Sequence, residues 1–240
     1  MPSPMYLTRI DRICRSVLTL NRDREFSTLK SMLALKKTDT VLDAGSGDGY
    51  WTASFAKDCG HIIGIDPGWQ ALQHARMLYN YPNIDYVQSF GESLPFPDKS
   101  FDKVVSVSCL EHFNDPFQGL REMARVLKPG GRLALSVDSL LPENSSLAFR
   151  EWHKKRHFVT KYFRQDEMQG MLEQVGIKYE KPSTVHLIRS SAAIRSREIF
   201  IRRPRLLLPL FPIFYSIVRV ADWMSHDSHG QMFVVTGTRQ

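Results

Sequence analysis

Val41 to Tyr50 reads VLDAGSGDGY: an apolar run ends in Asp43, and glycines follow at every second position, Gly45, Gly47 and Gly49. Alternate glycines let a chain turn sharply and bring bare backbone N–H groups up to a ligand that side chains would exclude. Tyr50 to Lys57 reads as helix, so the glycines join a strand end to a helix start, with a dipole that favours nucleotide-like ligands. The spacing then separates the candidates. A dinucleotide fingerprint, G-x-G-x-x-G, needs its last glycine where bulky Tyr50 stands. A phosphate-binding P-loop needs Gly-Lys followed by Ser or Thr, and this stretch has no Lys. NAD(P) and ATP are both disfavoured.

Outward from this junction, strands and helices alternate. Phe26 to Leu35 reads as helix, and Lys36 to Thr40 leads into the strand Val41–Ala44. His61 to Ile65 is a second strand closed by Asp66, followed by a helix over Trp69–Tyr79 with Ala71, Leu72, Ala75 and Leu78 on one face. Ile84 to Val87 is a third strand, the Pro-punctuated GESLPFPDKS a loop, Phe101 to Val107 a fourth strand and Pro116 to Leu127 an amphipathic helix. Lys128-Pro129-Gly130-Gly131 reads as a sharp turn before a fifth strand, Arg132–Val137. Such alternation predicts an α/β fold with a doubly wound, mostly parallel sheet, its ligand edge formed by the loops after the strands.

Beyond Asp138 the pattern loosens. Phe149 to Phe158 is aromatic and basic, Gln165 to Val175 is a helix stopped by Gly176, and strands are expected over 177–185 and 232–238. The organisation expected is N-terminal helices over 1–40, including an amphipathic one from Pro2 to Arg24, then a core over 41–187. A basic apolar insertion over 188–230 and a last core strand over 231–240 complete it. At 240 residues and 42% hydrophobic content the chain can bury a full core. The three cysteines, Cys14, Cys59 and Cys109, are odd in number and widely spaced, which suits a reduced cytoplasmic chain. The N-terminus has no apolar run of the secretory kind.

The formal charge of +7 is concentrated: +6 lies between Arg189 and Arg219, and +5 between Arg150 and Arg164. The first patch adjoins an apolar run, Leu206 to Val218, interrupted by Pro209 and Pro212 and too short to span a bilayer. Arginine beside Leu, Phe, Tyr and Trp suits an interfacial segment on anionic lipid over 189–220, at the inner face of a membrane. The alternative is a lid or dimer contact. Nucleic acid is disfavoured, because the arginines lead into aliphatics rather than a polar, aromatic groove.

Four blocks in order, VLDAGSGDGYWT, GIDPGWQAL, GESLPFPDKSFDKVVSVSCLEHFNDP and EMARVLKPGGRLALSV, resemble the class I, seven-strand S-adenosylmethionine-dependent methyltransferases. The resemblance covers about two fifths of the chain and is nearest to the branch of quinone C-methyltransferases, with a weaker likeness to methyltransferases of polysaccharide precursors. It implies seven strands, the last antiparallel and hairpinned with the sixth, and S-adenosylmethionine as the cofactor.

On that resemblance Asp43 meets the cofactor's ammonium, directly or through water. Gly45 and Gly47 allow close backbone approach, and Asp66 accepts both ribose hydroxyls, since a carboxylate offers two acceptor oxygens. Pro67 or Trp69 flanks the adenine. Many relatives carry Gly-Asp-Ala where this chain has Ser89, Phe90 and Gly91. Either backbone and Glu92 recognise the adenine, or Phe90 packs against it. Ser108 and His112 fall just after the fourth strand, at the edge of methyl transfer. His112 is a candidate proton acceptor, or else part of a structural His–Glu pair with Glu111. His157 and His153 are further candidates for a base, or partners with Arg156 for an anionic substrate, in what is otherwise a solvated basic loop. No ligand spacing points to a metal. The acceptor expected is an amphiphilic or lipid-linked small molecule, methylated on oxygen or carbon. A soluble metabolite is the alternative, and a cofactor-binding but inactive partner protein is another.

Overall fold

The computed structural model describes residues 20–240, and most of the helix expected over Pro2–Arg24 lies outside that range. The first described helix is α1, Arg22–Leu33, followed by β1 (Thr40–Ala44), α2 (Tyr50–Phe55), β2 (His61–Asp66), α3 (Trp69–Leu78) and β3 (Ile84–Gln88). Next come β4 (Phe101–Val107), a 3-10 turn at Leu110–His112, α4 (Pro116–Val126), β5 (Leu127–Asp138), α5 (Leu147–His157) and α6 (Gln165–Gln174). The chain ends with β6 (Ile177–Leu187), α7 (Ser191–Arg202), α8 (Pro204–Leu207), a 3-10 turn at Leu208–Leu210, α9 (Phe211–Met224) and β7 (Met232–Arg239).

One seven-stranded sheet has the order β3-β2-β1-β4-β5-β7-β6. The first five strands pair in parallel, and β7 slots antiparallel between β5 and β6. Successive strand residues point to opposite faces, and both faces are covered, which is why the strands are near-continuous Val, Ile and Leu. Val41, Ile62, Val105 and Val234 pack with α1, α2, α3, α7 and α9 through Leu29, Phe55, Leu72, Phe200 and Val218. Leu42, Val104, Leu133 and Val235 pack with α4 and α6 through Leu120, Met123, Met168 and Leu172. Each of these fully buried side chains contributes about 1.5 to 3 kcal/mol relative to exposure.

The expected turn at Lys128–Gly131 is instead a bulge inside β5. The register jumps from Phe101 opposite Leu127 to Lys103 opposite Arg132, and Gly130 absorbs the kink with φ +74°. The basic aromatic stretch is a helix, α5, with Ser146 capping it by accepting the Phe149 N–H at 3.2 Å. Prolines do not break the insertion. Pro204, Pro209 and Pro212 stand in the first turn of α8, the 3-10 turn and α9, where a missing N–H costs nothing. Asp222 on α9 has no exposed surface and accepts the Ile188 N–H at 3.1 Å while pairing with Arg24 of α1. That contact ties the insertion to the core.

Candidate functional site

Parallel strands put the ends of β1, β2, β4 and β5 on one edge of the sheet; β2 finishes with Asp66 and β5 with Asp138, and Asp43 is the penultimate residue of β1. The glycine loop spans the ends of β1 and β2. Gly45 and Ser46 donate their N–H groups to Ile65 O at 2.9 and 2.8 Å, and Gly47 donates to Asp66 Oδ2 at 3.0 Å. The bare N–H groups expected of the loop are therefore engaged with the end of β2, which fixes the loop's shape.

The three glycines do different jobs. A Cβ at Gly45 would lie 2.0 Å from Cys109 Sγ, and one at Gly49 would lie 2.5 Å from the Tyr86 hydroxyl. Both positions are closed by protein. A Cβ at Gly47, where φ is +53°, would meet nothing within 4 Å. The space above Gly47 is open, and Asp66 lies beside it.

Asp43 is 1% exposed. Its Oδ2 accepts the Thr52 hydroxyl at 2.6 Å, whereas the buried Oδ1 has no hydrogen-bond partner. Burial pushes its carboxyl up to about 7, with Thr52 opposing and Asp66 adding to the rise. A cation reaching Oδ1 would complete this acid. Asp66 is half-buried, and its Oδ1 accepts the Gly68 N–H at 2.8 Å. Each carboxylate oxygen keeps a second lone pair for a hydroxyl. Gly68, rather than Asp66, occupies the cap position of α3.

Around this cradle the rims are apolar and exposed. Trp69 is half exposed with Arg76 stacked over its ring at 5.4 Å, and Phe90 is 60% exposed. Pro67 is exposed, its carbonyl held by Gln88 Nε2 at 3.0 Å. Glu92 is turned to the head of α4, its Oε1 accepting the Asn114 N–H at 2.9 Å. Ser108 adopts a left-handed φ of +45°, a strained setting for a side-chain-bearing residue. Its hydroxyl donates to Glu25 Oε1 at 2.6 Å and accepts from Arg22 Nη1 at 3.0 Å. Glu92 thus ties its loop to the head of α4, and Ser108 ties the end of β4 to α1.

His112 is exposed, with Nδ1 3.3 Å from Phe158 O. His157, also exposed, stacks on His153 at 4.6 Å between centroids. His153 is the buried member. Its Nδ1 lies 3.1 Å from the Tyr162 hydroxyl and its Nε2 lies 3.7 Å from Asp138 Oδ2. The structure brings to this end of β5 residues that the sequence reading leaves without a role: Arg22, Glu25, Asp138 and Arg197. Glu25 is fully buried, accepts the Ser136 hydroxyl at 2.6 Å and pairs with Arg22 at 2.7 Å. One signal was present, since Asp138 closes its strand as Asp66 does.

The fit to S-adenosylmethionine rests on these features: an orphaned buried carboxylate oxygen, an open glycine at the loop's centre and a second acid at the next strand end. An ammonium, a backbone-hugging chain and a ribose diol are the matching chemistry.

Comparison with known proteins agrees with this geometry. Residues 42–135 match the family model described as a methyltransferase domain. The chain is 34% identical over 135 residues to a demethylmenaquinone methyltransferase of Chlorobaculum tepidum, covering 54% of each chain. It is 31% identical over 168 residues to the ubiquinone/menaquinone biosynthesis C-methyltransferase UbiE of Vibrio parahaemolyticus, covering 59% of this chain and 65% of that one. The chain thus spans between half and two thirds of the length of these curated relatives. Among solved structures, the YcgJ protein of Bacillus subtilis superimposes with a TM-score of 0.67 at 21% identity, covering 91% of this chain and 99% of that chain. Geranyl diphosphate C-methyltransferase of Streptomyces coelicolor, solved with S-adenosyl-L-homocysteine, superimposes at 0.68 with 14% identity over 91% of this chain and 77% of that chain. The last two likenesses concern the fold.

Proposed function

Because this chain carries a methyltransferase domain of the class I, S-adenosylmethionine-dependent family, we propose that it transfers a methyl group to a small lipophilic acceptor, on carbon or oxygen. The observation that carries the reading is the pairing of the orphaned Asp43 Oδ1 with open space at Gly47. Asp43 would hold the ammonium of S-adenosylmethionine, Gly45 and Gly47 would line its path, and Asp66 would take the ribose hydroxyls. Pro67, Trp69 and Phe90 would flank the adenine, with Phe90 packing on the ring rather than bonding its amino group. When bound, the cofactor supplies a methyl group made electrophilic by a sulfonium.

The chain's own contribution is positioning. Ile65 O and Asp66 hold the glycine loop through three backbone donors, so little needs to reorganise on binding. His112 and His157 are exposed. His153 is the better-buried base candidate.

The acceptor's lipophilic character is supported by the quinones that the relatives are named for and by α9. Ile213, Ile217, Val220 and Met224 recur along one exposed stripe, and Trp223 beside them is 82% exposed. Arg219 on the same helix is exposed, as are Arg202 and Arg203 at the end of α7. No described helix is long and apolar enough to cross a membrane. A peripheral contact over 189–220, on the cytoplasmic face, is the mode we assign.

The test is methyl incorporation from labelled S-adenosylmethionine into reduced demethylmenaquinone presented in anionic vesicles. Label in the extracted lipid supports the reading. Label found only in a water-soluble product would replace the lipophilic acceptor with a soluble one.

A further inference from the structure

The two basic stretches, 150–164 and 189–219, are separate in the sequence and meet in the fold. Between α5 and the junction of α7 with α8 lies a cleft of about 480 Å³. Arg156, Arg202 and Arg203 line it, together with Trp152, Ile201 and Leu206, and no acid does. Among the described residues no carboxylate pairs with any of these three arginines. The acids next to them in the chain are committed elsewhere. Glu198, one turn before Arg202, accepts from Ser145 Oγ at 3.2 Å and from Gln231 Nε2 at 2.9 Å. Glu151 lines a different cleft with Arg150 and Tyr162.

The walls of the cleft are set by the core. Phe149 is fully buried, Trp152 stacks with its ring at 5.6 Å between centroids, and the Arg202 guanidinium lies over it at 5.3 Å. Arg203 ends α7, donating its N–H to Phe200 O at 3.2 Å, and Pro204 starts α8 at once. That bend keeps Arg202, Arg203 and Leu206 on one cleft. Three guanidinium groups gathered without a counter-charge repel one another, and a polyanion relieves the repulsion.

We propose that this cleft binds a phosphate carried on an apolar chain, a phosphomonoester or diphosphate. The arginines take its charges in forked hydrogen bonds, and Trp152, Ile201 and Leu206 take the first carbons of the chain. Beyond the cleft, Leu206, Leu208 and Leu210 are 70, 40 and 44% exposed and give the chain an apolar way out. A phosphodiester head, with a single charge, leaves arginines unmatched, so the site is more selective than a contact with any anionic surface. None of its residues belongs to the glycine cradle, and the site stands apart from the methyl-transfer reading.

The experiment is calorimetric titration of the full chain with n-octyl phosphate, beside inorganic phosphate, n-octanol and the diester methyl octyl phosphate. Octyl phosphate should bind at least about tenfold more tightly than each of the others. Arg156→Gln and Arg203→Gln, both at exposed positions, should each weaken it at least about fivefold and leave S-adenosylhomocysteine binding unchanged. Ile217→Glu with Trp223→Glu, outside the cleft, should leave octyl phosphate binding unchanged. Phosphatidylcholine vesicles carrying phosphatidic acid should displace octyl phosphate if the natural source is a lipid in its bilayer, and should leave it bound if the source is a dispersed molecule. Both results support the site. No binding of octyl phosphate, a diester or inorganic phosphate that binds as tightly, or wild-type affinity in the Arg156→Gln, Arg203→Gln double variant would each overturn the proposal. The ligand series uses wild-type protein, so it decides the matter even where a variant fails to fold. Octyl phosphate binding without S-adenosylhomocysteine binding would sink the methyltransferase reading and leave the cleft standing. The reverse would sink the cleft alone.

Discussion

Gly47 donates its N–H to Asp66 Oδ2 at 3.0 Å, so the acid that ends the second strand also shapes the loop that follows the first. The two halves of the cofactor cradle are one mechanical unit. On the proposed reading a substitution at Asp66 would act twice, on the diol contact and on the loop.

The glycines separate folding from binding. Gly45→Ala puts a methyl 2.0 Å from Cys109 Sγ at φ +90°, and it should destabilise the fold by about 2 to 4 kcal/mol in denaturant unfolding. Gly47→Ala meets nothing within 4 Å and should cost only about 1 kcal/mol of stability. Its new methyl occupies the cradle, so S-adenosylhomocysteine affinity should fall at least about tenfold, a loss of roughly 1.4 kcal/mol or more. Unchanged affinity in Gly47→Ala would place the ligand elsewhere.

Asp43 supplies a pH signature. Its folded carboxyl sits at about 7, raised above the unfolded value, so the protonated acid is favoured in the fold. Its share of stability is fully present below about pH 4 and is lost as pH rises through 7. Asp43→Asn should therefore raise stability at pH 8 by about 1 to 2 kcal/mol relative to its effect at pH 4. The cofactor's ammonium prefers the ionised acid, so affinity should climb about tenfold between pH 6 and 8 as that fraction rises. Calorimetry in buffers of different ionisation enthalpy should register proton release near pH 6.5, and none in Asp43→Asn.

His153 works in the opposite sense. Its folded value of about 4 lies below the unfolded one, so the folded state binds fewer protons there. His153's share of stability should be lost as pH falls from 6.5 to 4, against the gain from Asp43, and His153→Gln should remove that loss from the pH dependence of the melting temperature. His186, lowered to about 4 by burial and by His229, and His157, lowered by burial, act in the same sense as His153. A slope identical in His153→Gln would show that His153 titrates normally.

Asp222 and the stripe on α9 make separable contributions. Asp222→Ala leaves Arg24 and two backbone donors at 188 and 189 without their acceptor, and should cost about 3 to 5 kcal/mol. Ile217→Glu with Trp223→Glu, both on exposed positions, should leave stability within about 0.5 kcal/mol. The same pair should abolish sedimentation with anionic vesicles. Persistent sedimentation would remove the membrane contact.

The sheet was legible because parallel α/β alternation writes itself as apolar runs closed by acids, and Asp43 and Asp66 lie where those runs end. The bulge at Lys128–Gly131 was not, because a Pro-Gly-Gly turn and a Pro-Gly-Gly bulge share one local sequence. The helices of the insertion hid behind Pro204, Pro209 and Pro212, which break a helix in its middle and start one at its head. Least legible was the buried polar cluster at the end of β5. Arg22, Glu111, Asp138 and Arg197 meet only through tertiary packing across 175 positions of chain, and no local pattern in one sequence joins them.

The most direct measurement is calorimetric titration of the folded full chain with S-adenosylhomocysteine at pH 8, wild type beside Asp66→Ala. The account predicts a single site of micromolar order, weakened at least about tenfold in the variant. No binding to folded wild-type protein at millimolar ligand, or equal binding by Asp66→Ala, would contradict it.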